Sequence, residues 1–152
     1  MYRRLVLKLS GQAIAGPNEF GFNSDRLTHL ANEVIAVRAT GVQVAVVVGG
    51  GNVFRGNRAG DWGIDRVEAD NIGMLGTVIN AVLLRGRLSA LGADDVRLMT
   101  AIPINNLSEP YIRLPAFILA RDHNLPLHVF DIDQSAAASS IASGKHLGTL
   151  IN

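Results

Sequence analysis

Apolar and polar positions change period several times along this chain. Leu5, Leu7 and Leu9 alternate with Val6, Lys8 and Ser10, the period-two pattern of a strand. Residues 42–48 form a β-branched run that ends in Gly49-Gly50-Gly51, as suits a strand covered on both faces of a parallel sheet. Between these, residues 25–40 read as an amphipathic helix carrying Leu27, Leu30, Ala31, Val34 and Val37 on one stripe, with Ser24 as N-cap and Gly41 as stop. The pattern then predicts a long helix over 65–90, a strand over 94–101, a helix over 114–123 and a strand over 127–131. Asp133 is expected to cap a short Ala/Ser-rich helix ending at Gly144, before a last strand over 147–151. This β-α-β order implies an α/β fold with a largely parallel sheet flanked by helices, in a single domain over 1–152. No internal repeat or linker interrupts it; 105–113, with Pro110 and nearby Pro115, is the only candidate boundary.

The long helix carries two apolar stripes. Val67, Met74, Leu75, Val78 and Val82 mark one, and Ile72, Ile79 and Leu83 mark another beside it. A helix apolar over so wide an arc is either central in its own core or pressed against a second subunit. Gly73 and Gly76 would let a neighbouring backbone approach closely in either case.

Composition narrows the class. At 152 residues and 48% hydrophobic content the chain can bury most of its apolar surface in one core. It has no uninterrupted apolar run near the roughly 18 residues of a bilayer span, so no membrane segment is expected. Met1-Tyr2-Arg3-Arg4 opens like a signal peptide, but Lys8 breaks the apolar stretch at once. The absence of cysteine excludes disulfides and thiolate metal sites and fits a cytoplasmic protein. A net charge of +1 and few aromatics give no long-range pull towards nucleic acid or membrane and no stacking platform. His29, His123, His128 and His146 lack metal-ligand spacing and read as surface or satisfied side chains. Asp131 and Asp133 could suggest Mg²⁺, yet helix capping by Asp133 explains half of the pair, so no metal site is assigned.

Two strand ends carry candidate chemistry. After Val48 come Gly49-Gly50-Gly51-Asn52-Val53-Phe54-Arg55-Gly56. Backbone amides freed of Cβ atoms can form an anion-binding nest, and a nearby guanidinium can grip phosphate in two places. The run is not a P-loop, lacking Gly-Lys-Ser/Thr, nor the dinucleotide fingerprint, whose third glycine is replaced by Phe54. A tight strand-to-helix turn without ligand is the alternative. The second end is Lys8-Leu9-Ser10-Gly11. A lysine in an apolar strand is costly to bury unless an anion neutralises it, or it snorkels from an edge strand. Ligands collect at the carboxyl ends of strands in open parallel sheets, which would put Ser10-Gly11 and Gly49 to Gly51 on one rim.

These residues resemble the bacterial uridylate (UMP) kinases, a branch of the amino acid kinase family. The resemblance runs through Lys8 to Gly11, Gly49 to Gly56, Asp70-Asn71-Ile72-Gly73-Met74-Leu75 and Arg97-Leu98-Met99-Thr100-Ala101-Ile102-Pro103. It resumes in Ala116-Phe117-Ile118-Leu119-Ala120-Arg121-Asp122-His123-Asn124-Leu125-Pro126 and closes on Gly148-Thr149-Leu150-Ile151. Residues 1–111 resemble the family's N-terminal, UMP-binding part, and 114–152 its C-terminal end. Between Tyr111 and Leu114 a large internal block of the family is missing. In relatives that block resembles an acceptor lid, Thr-Gly-Asn-Pro-Phe-Phe-Thr-Thr-Asp, followed by most of the ATP-binding region. Arg113 falls where relatives carry an aspartate implicated in phosphoryl transfer, and Gln12 stands where they carry a glutamate.

The resemblance implies a truncated amino acid kinase-like fold and transfer of the ATP γ-phosphoryl group to UMP, giving UDP, with Mg²⁺ accompanying ATP. Lys8 would be the catalytic residue, neutralising charge on the transferring group. Lys8, Ser10, Gly11 and Gly49 would bind ATP phosphates; Gly50, Gly51 and Arg55 the UMP phosphate; and Asp70 the ribose of UMP. Asp70 read alone could equally be a helix-dipole carboxylate. Arg85 and Arg97 match an effector site of some relatives or are surface charges. In relatives the helix matching 65–90 builds the dimer contact of a hexamer. Two readings follow: a UMP kinase-family protein with a UMP half-site and little or no catalysis, or a non-catalytic module pairing through that helix with itself or a full-length kinase.

Overall fold

The computed structural model describes residues 2–102, 104–110 and 127–151. In chain order its elements are β1 (Arg4–Leu9), α1 (Gly11–Ala15), α2 (Ser24–Ala39), β2 (Gln43–Val48), a 3-10 turn (Gly56–Trp62), α3 (Arg66–Ala90), β3 (Met99–Thr100), β4 (Glu109–Pro110), β5 (Leu127–Val129), α4 (Ala137–Ala142) and β6 (Thr149–Ile151). The helix expected over 114–123 lies outside the described residues.

β1 and β2 pair in parallel, with Lys8 opposite Val47 and Leu9 opposite Val48. Leu5, Leu7 and Leu9 point to the side where α2 supplies Leu30, Ala31, Val34 and Val37, joined by Leu84, Leu88, Ala138 and Ala142. The period-two pattern of β1 is thus realised as one covered face and one open face. For β2 this corrects the expectation of cover on both sides. Val47 is 51% exposed and Val6 66%, because the sheet is two strands wide and the core forms on one side of it among the described residues. The remaining strands form a parallel pair, β3 with β4, and an antiparallel pair, β5 with β6. The strand expected over 94–101 shrinks to Met99–Thr100, and those over 127–131 and 147–151 to three residues each.

Capping explains where the helices start. Asn23, in extended conformation, accepts from the amides of Asp25 and Arg26 at 3.0 Å each, so Ser24 is the first helical residue of α2 rather than its cap. Asp65 caps α3 by accepting from Glu68 at 2.9 Å. The expected cap of α4 fails: Asp133 pairs with Arg26, and Ala136 takes the N-cap position at φ 59° with no cap from a side chain of its own. The Ala136 amide instead donates to Oε1 of Glu33, on α2, at 2.8 Å. That bond satisfies one oxygen of a glutamate only 5% exposed; its Oε2 has no hydrogen-bond partner among the described residues. Asp131 also stays local, accepting from the Asp133 amide at 2.9 Å. His29 bonds the carbonyl of Ile132, and His128 the hydroxyl of Tyr2 through Nε2, both at 2.9 Å; Nδ1 of His128 is buried without a partner among the described residues, so the satisfied reading holds for only one of its nitrogens.

Of the two stripes of α3 only Val78 is buried, and the helix docks mainly through residues outside them. Ala69, Gly76, Val78, Asn80, Leu84 and Leu88 are buried, while Val67, Met74, Leu75 and Ile79 are exposed. Val78 therefore leaves the stripe it shares in sequence with Met74 and Leu75. By length and composition α3 is also apolar enough to cross a membrane, with a mean hydropathy of 1.3, which run length alone does not predict. Its Asn80, fully buried and hydrogen-bonded to the loop after β2, marks a helix docked in a protein core.

Candidate functional site

The two glycine-bearing strand ends meet. The Gly49 amide donates to the Leu9 carbonyl at 2.8 Å, extending the β1–β2 ladder by one bond. A Cβ on Gly11 would lie 2.7 Å from the Gly51 amide nitrogen and 2.8 Å from that of Asn52, and against the Asn52 side chain. Only glycine admits this approach. Ser10-Gly11 and Gly49 to Gly51 therefore share one rim, as expected. The amides of Gly50, Gly51 and Asn52 donate to no acceptor among the described residues. Consecutive free N–H groups are what an anion-binding nest requires.

Each glycine of the run has a different task. Gly50 lies on α3: a Cβ there would stand 2.5 Å from the Gly73 carbonyl oxygen and 2.8 Å from the Thr77 nitrogen. Gly76 answers from the helix side, where a Cβ would be 3.1 Å from Val53 and 3.2 Å from the Gly50 oxygen. Gly51 faces open space, as does Gly73 on α3. The close approach expected of Gly73 and Gly76 is thus made within this chain by Gly76.

A buried amide pair fixes this loop, and the sequence pattern missed half of it. Asn52 and Asn80 are 1% and 0% exposed. Asn80 Nδ2 donates to Asn52 Oδ1 at 2.6 Å and to the Gly49 carbonyl at 2.7 Å; Asn52 Nδ2 donates to Asn80 Oδ1 at 3.1 Å and to the Gly21 carbonyl at 2.9 Å. Gly21 returns a bond from its amide to the Asn52 carbonyl at 2.8 Å. A single asparagine inside the wide apolar arc of α3 was the available signal.

Arg55 stands at the exposed rim. It donates through Nη2 to Gln12 Oε1 at 2.8 Å and through Nε to the Gly51 carbonyl at 3.3 Å. Its guanidinium lies 5.7 Å from the centre of the Phe20 ring, which Arg58 approaches at 5.3 Å. Two of its five N–H groups are used; the other three have no acceptor among the described residues. Arg58 itself is held by Asp61 at 2.9 Å, and that hydrogen bond raises its pKa.

The other expected residues divide. Lys8 is exposed on the open face of the sheet, so it incurs no burial cost and takes the edge-strand alternative. Ser10 commits its hydroxyl to capping α1, accepting from Ala13 at 3.1 Å, and its carbonyl accepts from the same amide at 3.1 Å, which leaves its backbone N–H for any ligand. Asp70 lies beyond the first turn of α3, where Glu68 is the acidic residue, so the dipole reading does not describe it. Its Oδ1 is 2.9 Å from Arg66 Nε and would be 3.5 Å from a Cβ on Gly56, next to Arg55. Arg85 donates to the Leu107 carbonyl at 2.9 Å and Arg97 pairs with Glu109, on the wall of an open groove of about 310 Å³.

The sequence model described as "Amino acid kinase family" matches residues 3–106. The chain belongs to that family. Within it, the uridylate kinase of Frankia alni is 43% identical over an alignment of 234 residues, covering 99% of this chain and 91% of the relative. That of Frankia casuarinae is 42% identical, covering 99% and 90%. Among solved structures, a UMP kinase from Bacillus anthracis superposes with a TM-score of 0.89 at 35% identity, covering 99% of this chain and 96% of that one. This amino acid kinase is thus a uridylate kinase-branch protein of α/β fold. Its alignments extend over 234 positions where the chain has 152 residues, so these relatives carry internal residues without counterpart here.

Proposed function

We propose that this chain binds UMP at the rim between β1 and β2 and that its transfer of the ATP γ-phosphoryl group to UMP is absent or severely reduced. The observation that carries the reading is a run of three acceptor-free amides, at Gly50, Gly51 and Asn52, beside an arginine that bonds the Gly51 carbonyl and keeps three N–H groups without an acceptor among the described residues. In this reading Gly50, Gly51 and Arg55 hold the UMP phosphate and Asp70 its ribose. Lys8 neutralises charge on the transferring phosphoryl group, with Ser10, Gly11 and Gly49 lining the ATP phosphates. Phosphoryl transfer depends on positioning and charge stabilisation, and half of a positioning site leaves most of the barrier standing.

Among the described residues no cluster of three His, Cys, Asp or Glu could hold a metal. The rim offers amides, a lysine and an arginine, which suit phosphate oxygens rather than a cation. Mg²⁺ therefore fits this site only as a companion of ATP, neutralising phosphate charge, and no protein residue is assigned to it. The reading is of a cytoplasmic protein with UMP and ATP as its partners.

UMP-dependent ADP release from Mg-ATP, with Lys8→Ala as control, tests the proposal beside UMP calorimetry. Expected are measurable UMP binding and turnover near background. Brisk turnover abolished by Lys8→Ala would overturn the claim of lost catalysis; no UMP binding by the folded protein would overturn the half-site.

A second reading is favoured by one specific observation, the exposed stripe Val67, Met74, Leu75 and Ile79 on α3. It is a non-catalytic module that pairs through this helix with a second copy or a full-length kinase. A clean monomer in sedimentation would count against it.

A further inference from the structure

We propose that Phe20 is a positioning residue for Arg55: its ring steadies the guanidinium beside the glycine loop and leaves the arginine's unpaired N–H groups to a phosphate. The proposal rests on the reading of Arg55 as the grip on the UMP phosphate.

Two guanidiniums lie over the half-buried Phe20 ring, that of Arg55 at 5.7 Å from its centre and that of Arg58 at 5.3 Å. Both fall within the distance of about 6 Å at which the negative face of an aromatic ring attracts a cation. Their other partners differ. Arg58 is tied within its own 3-10 turn, as an ion pair with Asp61 at 2.9 Å. Arg55 is exposed and held by two hydrogen bonds, to Gln12 Oε1 at 2.8 Å and to the Gly51 carbonyl at 3.3 Å, the second long for an N–H···O bond. Ordering so long a side chain costs rotamer entropy, and the ring supplies a third point of attachment against that cost. Attraction to a ring asks for no N–H···O bond. The three N–H groups of Arg55 without an acceptor among the described residues therefore stay available to phosphate oxygens.

The ring is placed by the same network that shapes the glycine loop. The turn that carries Phe20 is closed at its base by the Asn23 amide, which donates to the Ile14 carbonyl at 3.0 Å. Beside the ring, Gly21 donates to the Asn52 carbonyl at 2.8 Å and accepts from Asn52 Nδ2 at 2.9 Å. Asn52 is in turn bound to Asn80. Phe20 is thus one residue removed from a point fixed to the loop of Gly50, Gly51 and Asn52, and it sets Arg55 in register with the amides of that loop.

The test is UMP calorimetry on the full chain and on Phe20→Leu, Phe20→Tyr, Arg55→Ala and the Phe20→Leu/Arg55→Ala double variant, each checked for its thermal midpoint. A chain with pentafluorophenylalanine at position 20 completes the set, since it keeps the shape of the ring and reverses the charge of its face. Arg55→Ala is expected to weaken UMP by about tenfold or more. Phe20→Leu and the fluorinated ring should each weaken it by about two- to fivefold, while Phe20→Tyr stays within about twofold of wild type. The double variant should bind no worse than Arg55→Ala alone, because Phe20 acts through Arg55. In the ligand-free protein the Arg55 Nε–H resonance should move in Phe20→Leu as the ring current is lost. A fluorinated ring that binds UMP as wild type does, while Arg55→Ala loses affinity, would overturn the role of Phe20 and leave the grip standing; this variant decides the matter should Phe20→Leu fail to fold. A Phe20→Tyr protein as weak as Phe20→Leu, losses that multiply in the double variant, or an unmoved Arg55 resonance would overturn it as well. An Arg55→Ala protein that binds UMP normally would overturn the grip, and the role of Phe20 with it.

Discussion

Asn52 and Asn80 exchange amide hydrogen bonds, 2.6 Å in one direction and 3.1 Å in the other, with neither side chain accessible to solvent beyond 1%. The pair reaches across 28 positions to bind the loop after β2 to the middle of α3, and each amide spends its second donor on a carbonyl, Gly49 or Gly21. A buried network of this kind is stable only while every member is satisfied. Asn80→Ala strands the Asn52 amide and the Gly49 carbonyl together. Its expected cost is about 1–3 kcal/mol, read from urea unfolding, with loss of UMP binding in the protein that remains folded. A variant of unchanged stability and affinity would show that the pair does not hold the loop.

Gly50 and Gly51 are neighbours with opposite surroundings, so alanine separates packing from function. At Gly50 a methyl group would meet the Gly73 oxygen at 2.5 Å and the Thr77 nitrogen at 2.8 Å, both backbone atoms that cannot swing aside. Gly50→Ala is expected to destabilise by about 1–3 kcal/mol as α3 is pushed off the loop. Gly51→Ala meets nothing within 4 Å and should unfold within about 0.5 kcal/mol of wild type. UMP affinity measured on the same Gly51→Ala protein then reports on the nest alone. Equal destabilisation by both would refute this division.

Glu109 and Arg97 tie β4 to the segment before β3. The hydrogen bond from Arg97 holds the Glu109 carboxyl below its ordinary range, with Coulombic attraction to the guanidinium adding to it and partial desolvation opposing it. A carboxyl whose folded pKa is depressed contributes stability above its unfolded value and loses it as pH falls through the folded one. The contribution is therefore complete at neutral pH and vanishes only in acid. Carbon-13 titration should find Glu109 below the other glutamates, and Arg97→Ala should return it to their range. A Glu109 titration unmoved by Arg97→Ala would contradict the pairing.

How much of this was legible follows from the range of each interaction. β1, β2, α2 and α3 were readable because their apolar spacing is local, and their ends were misplaced by about one residue where two capping side chains compete, as Asn23 and Ser24 do. The open face of β2 was not readable: Val44 to Val48 is a run that fits a doubly covered strand, and its cover depends on strands a local pattern does not supply. The cap of α4 was hidden for the same reason, since Glu33 reaches Ala136 from 103 positions away. At the site, the glycines and Arg55 announced themselves by type and spacing. Gln12, Phe20 and Asn80 did not, because their roles consist of partners brought together by folding.

The exposed stripe of α3 supports the last expectation. Met74 and Ile79 are 41% and 44% exposed on a helix whose other face is already committed to the core through Asn80, Leu84 and Leu88. Gly73 lies on α3 with nothing within 4 Å of its missing Cβ, so nothing among the described residues stands against that position. A second copy could place its own stripe on this surface, burying apolar area on both sides at roughly 25 cal/mol per Å². Sedimentation of the wild-type chain should then show a dimer or larger species, and Met74→Lys or Ile79→Lys should shift it to monomer; Ile79→Lys should do so without lowering UMP affinity, because Ile79 lies on the side of the helix away from Asp70, whereas Met74 is one turn from it. Loss of UMP binding along with dimerisation would mean instead that the half-site needs its partner copy. An unchanged sedimentation profile in both lysine variants would remove α3 as the contact.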